Sequence, residues 1–149
     1  MNVKKDLTDL GLHFDKLHEK KYGVIFLLKD YNTIICELTL DYVPIEKFKK
    51  IFGVLGEFIK EHKVEKFIFD KRHLQTFHQP SMEWYFLDWK KEMFEYGMKI
   101  HRKILPPGDL WFKEAVLAGR VQIMANNPDN IIDQLDIQYR DSIEEAIKD

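Results

Sequence analysis

Apolar residues along the chain fall into short runs and helical stripes that alternate with polar breaks. Tyr22–Leu28 and Thr33–Leu40 are rich in β-branched and aromatic residues, and the Lys29-Asp-Tyr-Asn32 segment between them has turn character, so a β-hairpin is predicted. Pro44 ends the second strand and opens a helix. In it Phe48, Ile51, Phe52, Leu55, Phe58 and Ile59 recur at helical spacing, with lysines and glutamates on the other face. Gly53 and Gly56 inside this helix each lower its propensity by about 1 kcal/mol relative to alanine, which predicts a close-packed neighbour.

Lys66-Phe-Ile-Phe-Asp70 is a run of the buried-strand type. Pro80 suits the first turn of a helix reaching about Tyr96, where Gly97 is a natural stop. Lys99–Leu105 reads as a further strand. Pro106-Pro-Gly-Asp109 then breaks the chain, and Asp109 can cap a helix extending to about Met124. After a loop at 126–130, Leu135–Tyr139 alternates like a strand, and Asp141-Ser142 lead into a last helix, Ile143–Lys148. Residues 1–21 are polar, and Leu7, Leu10, Phe14 and Leu17 form a narrow helical stripe interrupted by Gly11, which predicts a short helix or an arm.

The resulting order, β-β-α-β-α-β-α-β-α, is that of an α/β domain: an N-terminal hairpin, then alternating strands and helices with right-handed crossovers and a mostly parallel sheet. Length suits one domain over residues 1–149, and there is no internal repeat, linker or low-complexity segment.

Composition narrows the partners. A net charge of −2 gives no overall field for nucleic acid or anionic lipid. Lys47, Lys49, Lys50 and Lys60 are interleaved with Glu46, Glu57 and Glu61, which describes a solvated helix face and no nucleic-acid surface. The longest apolar run, Val24–Leu28, is far too short to span a bilayer, and the charged N-terminus lacks the apolar region of a signal peptide. Cys36, the single cysteine, falls in a predicted buried strand and forms no internal disulfide. The expectation is a cytoplasmic protein.

The hairpin leading into "YVPIEKFKKIFGVLGEFIKEHKVEKFIFD", the strand-loop-helix that follows, and the ending "LDIQYRDSIEEAIKD" resemble the SpoIIAA-like, or STAS-like, α/β domains. These share a broader architecture with the lipid-carrying Sec14 (CRAL-TRIO) domains. The resemblance is one of pattern, covers Tyr22 to the C-terminus, and implies a single SpoIIAA-like domain. Anti-anti-sigma members carry a phosphorylatable serine or threonine at the start of the helix after a central strand. The matching position here is Ser81 in "HQPSMEW", which lacks the accompanying glycine and follows a longer loop.

In a mostly parallel sheet the segment "DKRHLQTFHQPSMEW" and the Pro106–Asp109 loop emerge at the carboxyl edge, where α/β sheets usually bind ligands. Helix starts at Pro80 and Asp109 offer free N–H groups, and Lys71, Arg72 and either Arg102 or Lys103 add positive charge. An anionic group held by Arg72 and the N–H groups around Ser81–Met82, with His73 and His78 at the rim, is one expectation. A solvated loop before a proline-initiated helix is the plain alternative. His73, His78 and His101 lack the tight spacing of a metal site. Asp88 and Glu92 share a helix face, yet beside Lys90 and Lys91 they read as a solvated stripe. With no phosphate loop, nucleophile elbow or cysteine with a nearby base, no cofactor is implied and an enzyme ranks last.

Aromatic residues are the least ordinary feature: seven of the twenty, Phe77, Trp84, Tyr85, Phe86, Trp89, Phe94 and Tyr96, fall within one stretch of twenty residues. Phe86, Trp89 and Met93 supply the stripe that a sheet requires, while Trp84, Leu87 and Phe94 point away at helical spacing. A second apolar side needs a cover, from residues 1–21, the helix bearing Trp111 and Phe112, a second subunit or an apolar ligand. Two functions are therefore expected. The first is a non-catalytic regulatory or protein-interaction module, self-associating as a homodimer through the aromatic helix and the loop before it. The alternative is a carrier or sensor of a small apolar or amphipathic acid whose acid group meets Arg72.

Overall fold

The computed structural model describes residues 2–76 and 78–149; Phe77, counted above among the clustered aromatics, lies outside the described residues. In chain order the elements are α1 (Val3–Asp9), β1 (Asp15–Lys20), β2 (Gly23–Leu28), β3 (Thr33–Leu38), α2 (Ile45–His62), β4 (Lys66–Asp70), α3 (Gln79–Trp84), a π-helical turn (Tyr85–Trp89), α4 (Lys90–Glu95), β5 (Ile100–Ile104), α5 (Leu110–Asn126), β6 (Asp136–Tyr139) and α6 (Ile143–Lys148).

Strands lie side by side in sequence order, β1 to β6. The first three pair antiparallel, and β3 through β6 are parallel. Each crossover from β3 onward advances one strand in the same direction, so a constant hand puts α2, α3–α4 and α5 on one face. Alternation then divides the core. Ile34, Cys36, Phe67, Phe69 and Ile137 meet those helices on the front face. Ile35, Ile68 and Ile104 point to the back, where Val3 and Leu7 of α1 and Ile143 and Ile147 of α6 cover them. The α/β class, the hairpin and the mostly parallel sheet accord with the sequence pattern. No helix among the described residues is long and apolar enough to cross a membrane.

Residues 1–21 depart from the expected single stripe. Asn2 caps α1 by accepting from the Lys5 N–H at 2.8 Å, and Gly11, at φ +70°, turns the chain away. Asp15–Lys20 then pairs antiparallel with β2, with a bulge between Lys16 and His18. Phe14 packs edge-on against Phe26 at 5.7 Å. The apparent helical stripe came from two elements of different period that happen to abut. Charged and largely exposed, β1 makes a guarded sheet edge.

Close packing against α2 occurs at Gly56 and not at Gly53. A Cβ on Gly56 would lie 3.1 Å from Met93 Cε, whereas one on Gly53 would meet nothing within 4 Å. Beside this approach the Trp89 indole N–H donates to the Phe52 carbonyl at 2.8 Å.

The segment Gln79–Glu95 is helical throughout, but its middle is a π turn. A π turn holds one extra residue, which rotates everything after it by about 100° relative to a straight helix. The expected stripe of Phe86, Trp89 and Met93 does face the core. Tyr85, Phe86, Trp89 and Lys90 are all buried. Trp84 turns toward α2, edge-on to Phe48 at 6.0 Å, with Lys49 Nζ 5.6 Å from its ring centre. Leu87 is half-buried against the same core, and Phe94 is half-buried under Lys99 Nζ at 5.4 Å. The chain itself thus covers the face that periodicity had left open.

Candidate functional site

Several residues expected to hold an anion are tied up at the back of the sheet. Arg72 donates from Nε and Nη2 to Asp70 at 3.0 and 2.9 Å and from Nη2 to Asp6 at 2.7 Å. Those two carboxylates raise its pKa despite the opposing effect of burial. His73 Nε2 lies 3.3 Å from Glu37 Oε2, which also accepts from the Val3 N–H at 3.2 Å. Burial and the Asp70 charge push the Glu37 carboxyl up. Arg102 projects to the same side and pairs with Asp136 and Asp149. Lys66 Nζ donates to three carbonyls at the end of α6, those of Ala146, Ile147 and Asp149.

The Ser81–Met82 cradle is likewise occupied. Met82 N–H donates to the His78 carbonyl at 3.0 Å, and the buried Ser81 hydroxyl pairs with His78 Nδ1 at 3.3 Å. The expectation that Arg72 and these N–H groups converge on an anion is therefore corrected. Histidines are dispersed too, with His73 paired at the back and His101 at the front. Among the described residues no group of three or more candidate metal ligands occurs.

Buried basic side chains gather on the front face. In β5, Ile100-His-Arg-Lys-Ile104, alternation sends Arg102 back and turns His101 and Lys103 under the helices. Lys71 follows β4 and is anchored by its N–H, which donates to the Ile104 carbonyl at 2.8 Å. The π turn swings Lys90 inward, although sequence had placed it on a solvated stripe. Lys90 Nζ lies 3.0 Å from His101 Nδ1. Lys90 and Lys103 share two aromatic faces: Lys90 Nζ is 4.6 Å from the Tyr85 ring and 5.2 Å from Phe86, and Lys103 Nζ is 5.2 and 4.2 Å from the same rings.

Burial sets the electrostatics. It pushes Lys71 down to about 7, with Arg120 of α5 adding to the effect. Lys90 and Lys103 fall well below the usual lysine range, first through burial and then through the neighbouring cations. His101 is lowered by burial and by Lys90, Lys103 and Arg102. Tyr85 is raised by burial. Among the described residues, Lys103 Nζ, His101 Nε2 and the Tyr85 hydroxyl are buried with no hydrogen-bond partner. Three polar groups without partners in one cluster form a site short of acceptors.

A cavity of about 350 Å³ lies at the carboxyl ends of β5 and β6, with Arg72 in its lining and none of the cluster's lysines. Pro106, Pro107, Lys113, Arg140 and Tyr139 are in its wall. Tyr139 links it to the cluster, since its ring centre lies 6.0 Å from Lys103 Nζ. A second cavity, about 380 Å³, opens between α3 and the start of α5, with Met82 and Val116 in its lining. Below it the helices close tightly, where a Cβ on Gly119 would meet Met82 Sδ at 3.0 Å.

The sequence carried a signal for this cluster. A parallel strand covered on both faces normally reads as an unbroken apolar run, and three consecutive basic residues in β5 violate that rule. Comparison with family models, with curated proteins and with solved structures finds no match to the chain.

Proposed function

We propose that the chain is a STAS-like domain that binds a small amphipathic acid, as a carrier or a sensor. Its anionic head would sit among Lys103, Lys90, His101 and Arg120, and its apolar part would lie in the cavity walled by Tyr139 and Pro106-Pro107. The observation that supports this reading is the convergence of buried basic groups whose pKa values are lowered first by burial and then by one another. Burying like charges together is unfavourable unless they shed protons or meet an anion. A cavity of about 350 Å³ lies in the range of small-molecule sites.

Thermal unfolding near neutral pH tests the proposal, with orthophosphate, acetate, octanoate and 2-oxobutanoate as probes. At least one carboxylate is expected to raise the Tm of the native chain and to leave a Lys103→Met variant unmoved. Equal responses of the two proteins, or none in either, would remove the reading.

A second reading, self-association of two copies, rests on a different surface from the one first expected. Helix α5 presents Leu110, Trp111 and Val121 to solvent at 70, 84 and 67% exposure. Large apolar side chains exposed on one helix make it a candidate interaction face. Light scattering across a concentration series would report a dimer that Trp111→Ser abolishes.

A further inference from the structure

We infer that two copies of the chain pair antiparallel through α5, with a two-fold axis near Leu117 and Ala118. The inference rests on the self-association reading and sharpens it by naming the orientation and register of the partner. Helix α5 buries one stripe, Phe112, Val116, Gly119 and Ile123. On the outward side Leu110, Glu114, Leu117, Ala118, Val121 and Ala125 are exposed, with Trp111 beside them. Only Glu114 in that set is charged. Helix α2, in the same layer, has an ordinary solvated face, exposing Glu46, Lys47, Lys49, Lys50, Glu57 and Glu61. A helix that is apolar on both sides needs a second surface to bury the outer one.

The distribution of size and charge along this stripe selects a second copy as the cover. Bulk lies at the N-terminal end, in Leu110 and Trp111, while the C-terminal half carries Ala118 and Ala125. Reversing one helix on the other brings Leu110 and Trp111 over Ala125. It also sets the small Ala118 side chain beside the axis, where the two backbones approach most closely. The same register places Glu114 opposite Gln122, so no charge meets its own kind, and each helix N-terminus lies by the partner's C-terminus. Parallel pairing would instead oppose Glu114 to Glu114 and Trp111 to Trp111. A seam of 17 residues is about 25 Å long, at the small end of stable interfaces, so the dimer is concentration-dependent.

Cysteine cross-linking of the full chain tests the geometry. Cys36 is fully buried, so a short bis-maleimide reaches only introduced thiols. Ala118→Cys, at an exposed position beside the axis, should cross-link to its own copy. Glu114→Cys and Gln122→Cys each lie about 12 Å from their own copies along the axis of an antiparallel pair. Each alone should therefore cross-link poorly, and an equimolar mixture of the two several-fold better. Cross-linking of Glu114→Cys alone as strong as in the mixture would overturn the antiparallel register and leave self-association standing. Dimers seen by light scattering, with no cross-link at Ala118→Cys, would likewise overturn the α5 pairing alone. A native chain that stays monomeric at every concentration, with no cross-link in any variant, would remove both.

Discussion

Arg102 and Lys103 are neighbours in one strand, yet their side chains enter opposite regimes. At the back of the sheet Arg102 meets Asp136 and Asp149, Arg72 meets Asp70 and Asp6, and Lys66 meets the carbonyls of α6. At the front, Lys103 and Lys90 meet aromatic faces and one another's fields. A structural ion network is paired because each unpaired buried charge would destabilise the fold. The back face obeys that requirement and the front face does not. Buried polar groups left short of partners are candidates for a site, and the acid-binding proposal rests on this difference between the two faces.

Breaking the paired side should have the largest effect. Asp70→Ala strands the Arg72 guanidinium beside Asp6 alone, and urea unfolding should show a loss of about 3–5 kcal/mol. A loss within the range of ordinary surface substitutions would mean that the two faces are energetically alike. The unpaired side should respond with the opposite sign. Lys103→Met keeps an unbranched apolar chain out to the ε position while removing a buried amine, and the ligand-free protein should gain about 1–4 kcal/mol. Destabilisation by this substitution would show that the front cluster is structural after all.

Titration gives a third contrast. Lys71, at about 7, and Lys90 and Lys103, well below the usual lysine value, release protons in the folded protein at a pH where the unfolded chain still holds them. Between about 7 and 10 the unfolded state therefore binds more protons, and stability rises with pH. Above that window ionisation of Tyr85, whose pKa folding raises, works the other way. Tm measured from pH 7 to 10 should climb in the native chain and climb less in Lys103→Met, and parallel slopes would locate the effect elsewhere.

Much of this was legible before any coordinates, for reasons that differ by element. Lys66–Asp70 and Ile143–Lys148 have the bounds that their apolar pattern and capping residues indicate, because local signals and burial agree there. The aromatic helix and its core-facing stripe of Phe86, Trp89 and Met93 were legible, but the burial of Lys90 was not, since a π turn leaves no mark in residue spacing. Arg72 looked available from its place in a cationic loop. What occupies it, Asp6, is sixty-six residues away in the short helix α1, a pairing that residue spacing does not record. His101 and Lys103 were visible in β5, yet only the strand order, with β4 on one side and β6 on the other, makes three basic residues in a row incongruous.

The smallest stability change is expected at the other exposed feature of the front layer. Trp84 and Trp111 are both aromatic residues on helices of that layer, but Trp84 is edge-on to Phe48 while Trp111 is 84% exposed. Trp111→Ser removes almost no intramolecular packing, so its effect on chemical unfolding should stay within about 0.5 kcal/mol. Trp84→Ser should cost more, because it empties a space against α2. If α5 pairs with a second copy, the ranking reverses in a dilution experiment: Trp111→Ser shifts the protein to monomer at concentrations where Trp84→Ser does not. Finding both variants monomeric, along with the native chain, would leave the exposed tryptophan without a role in self-association and confine the functional surface to the buried basic cluster beneath it.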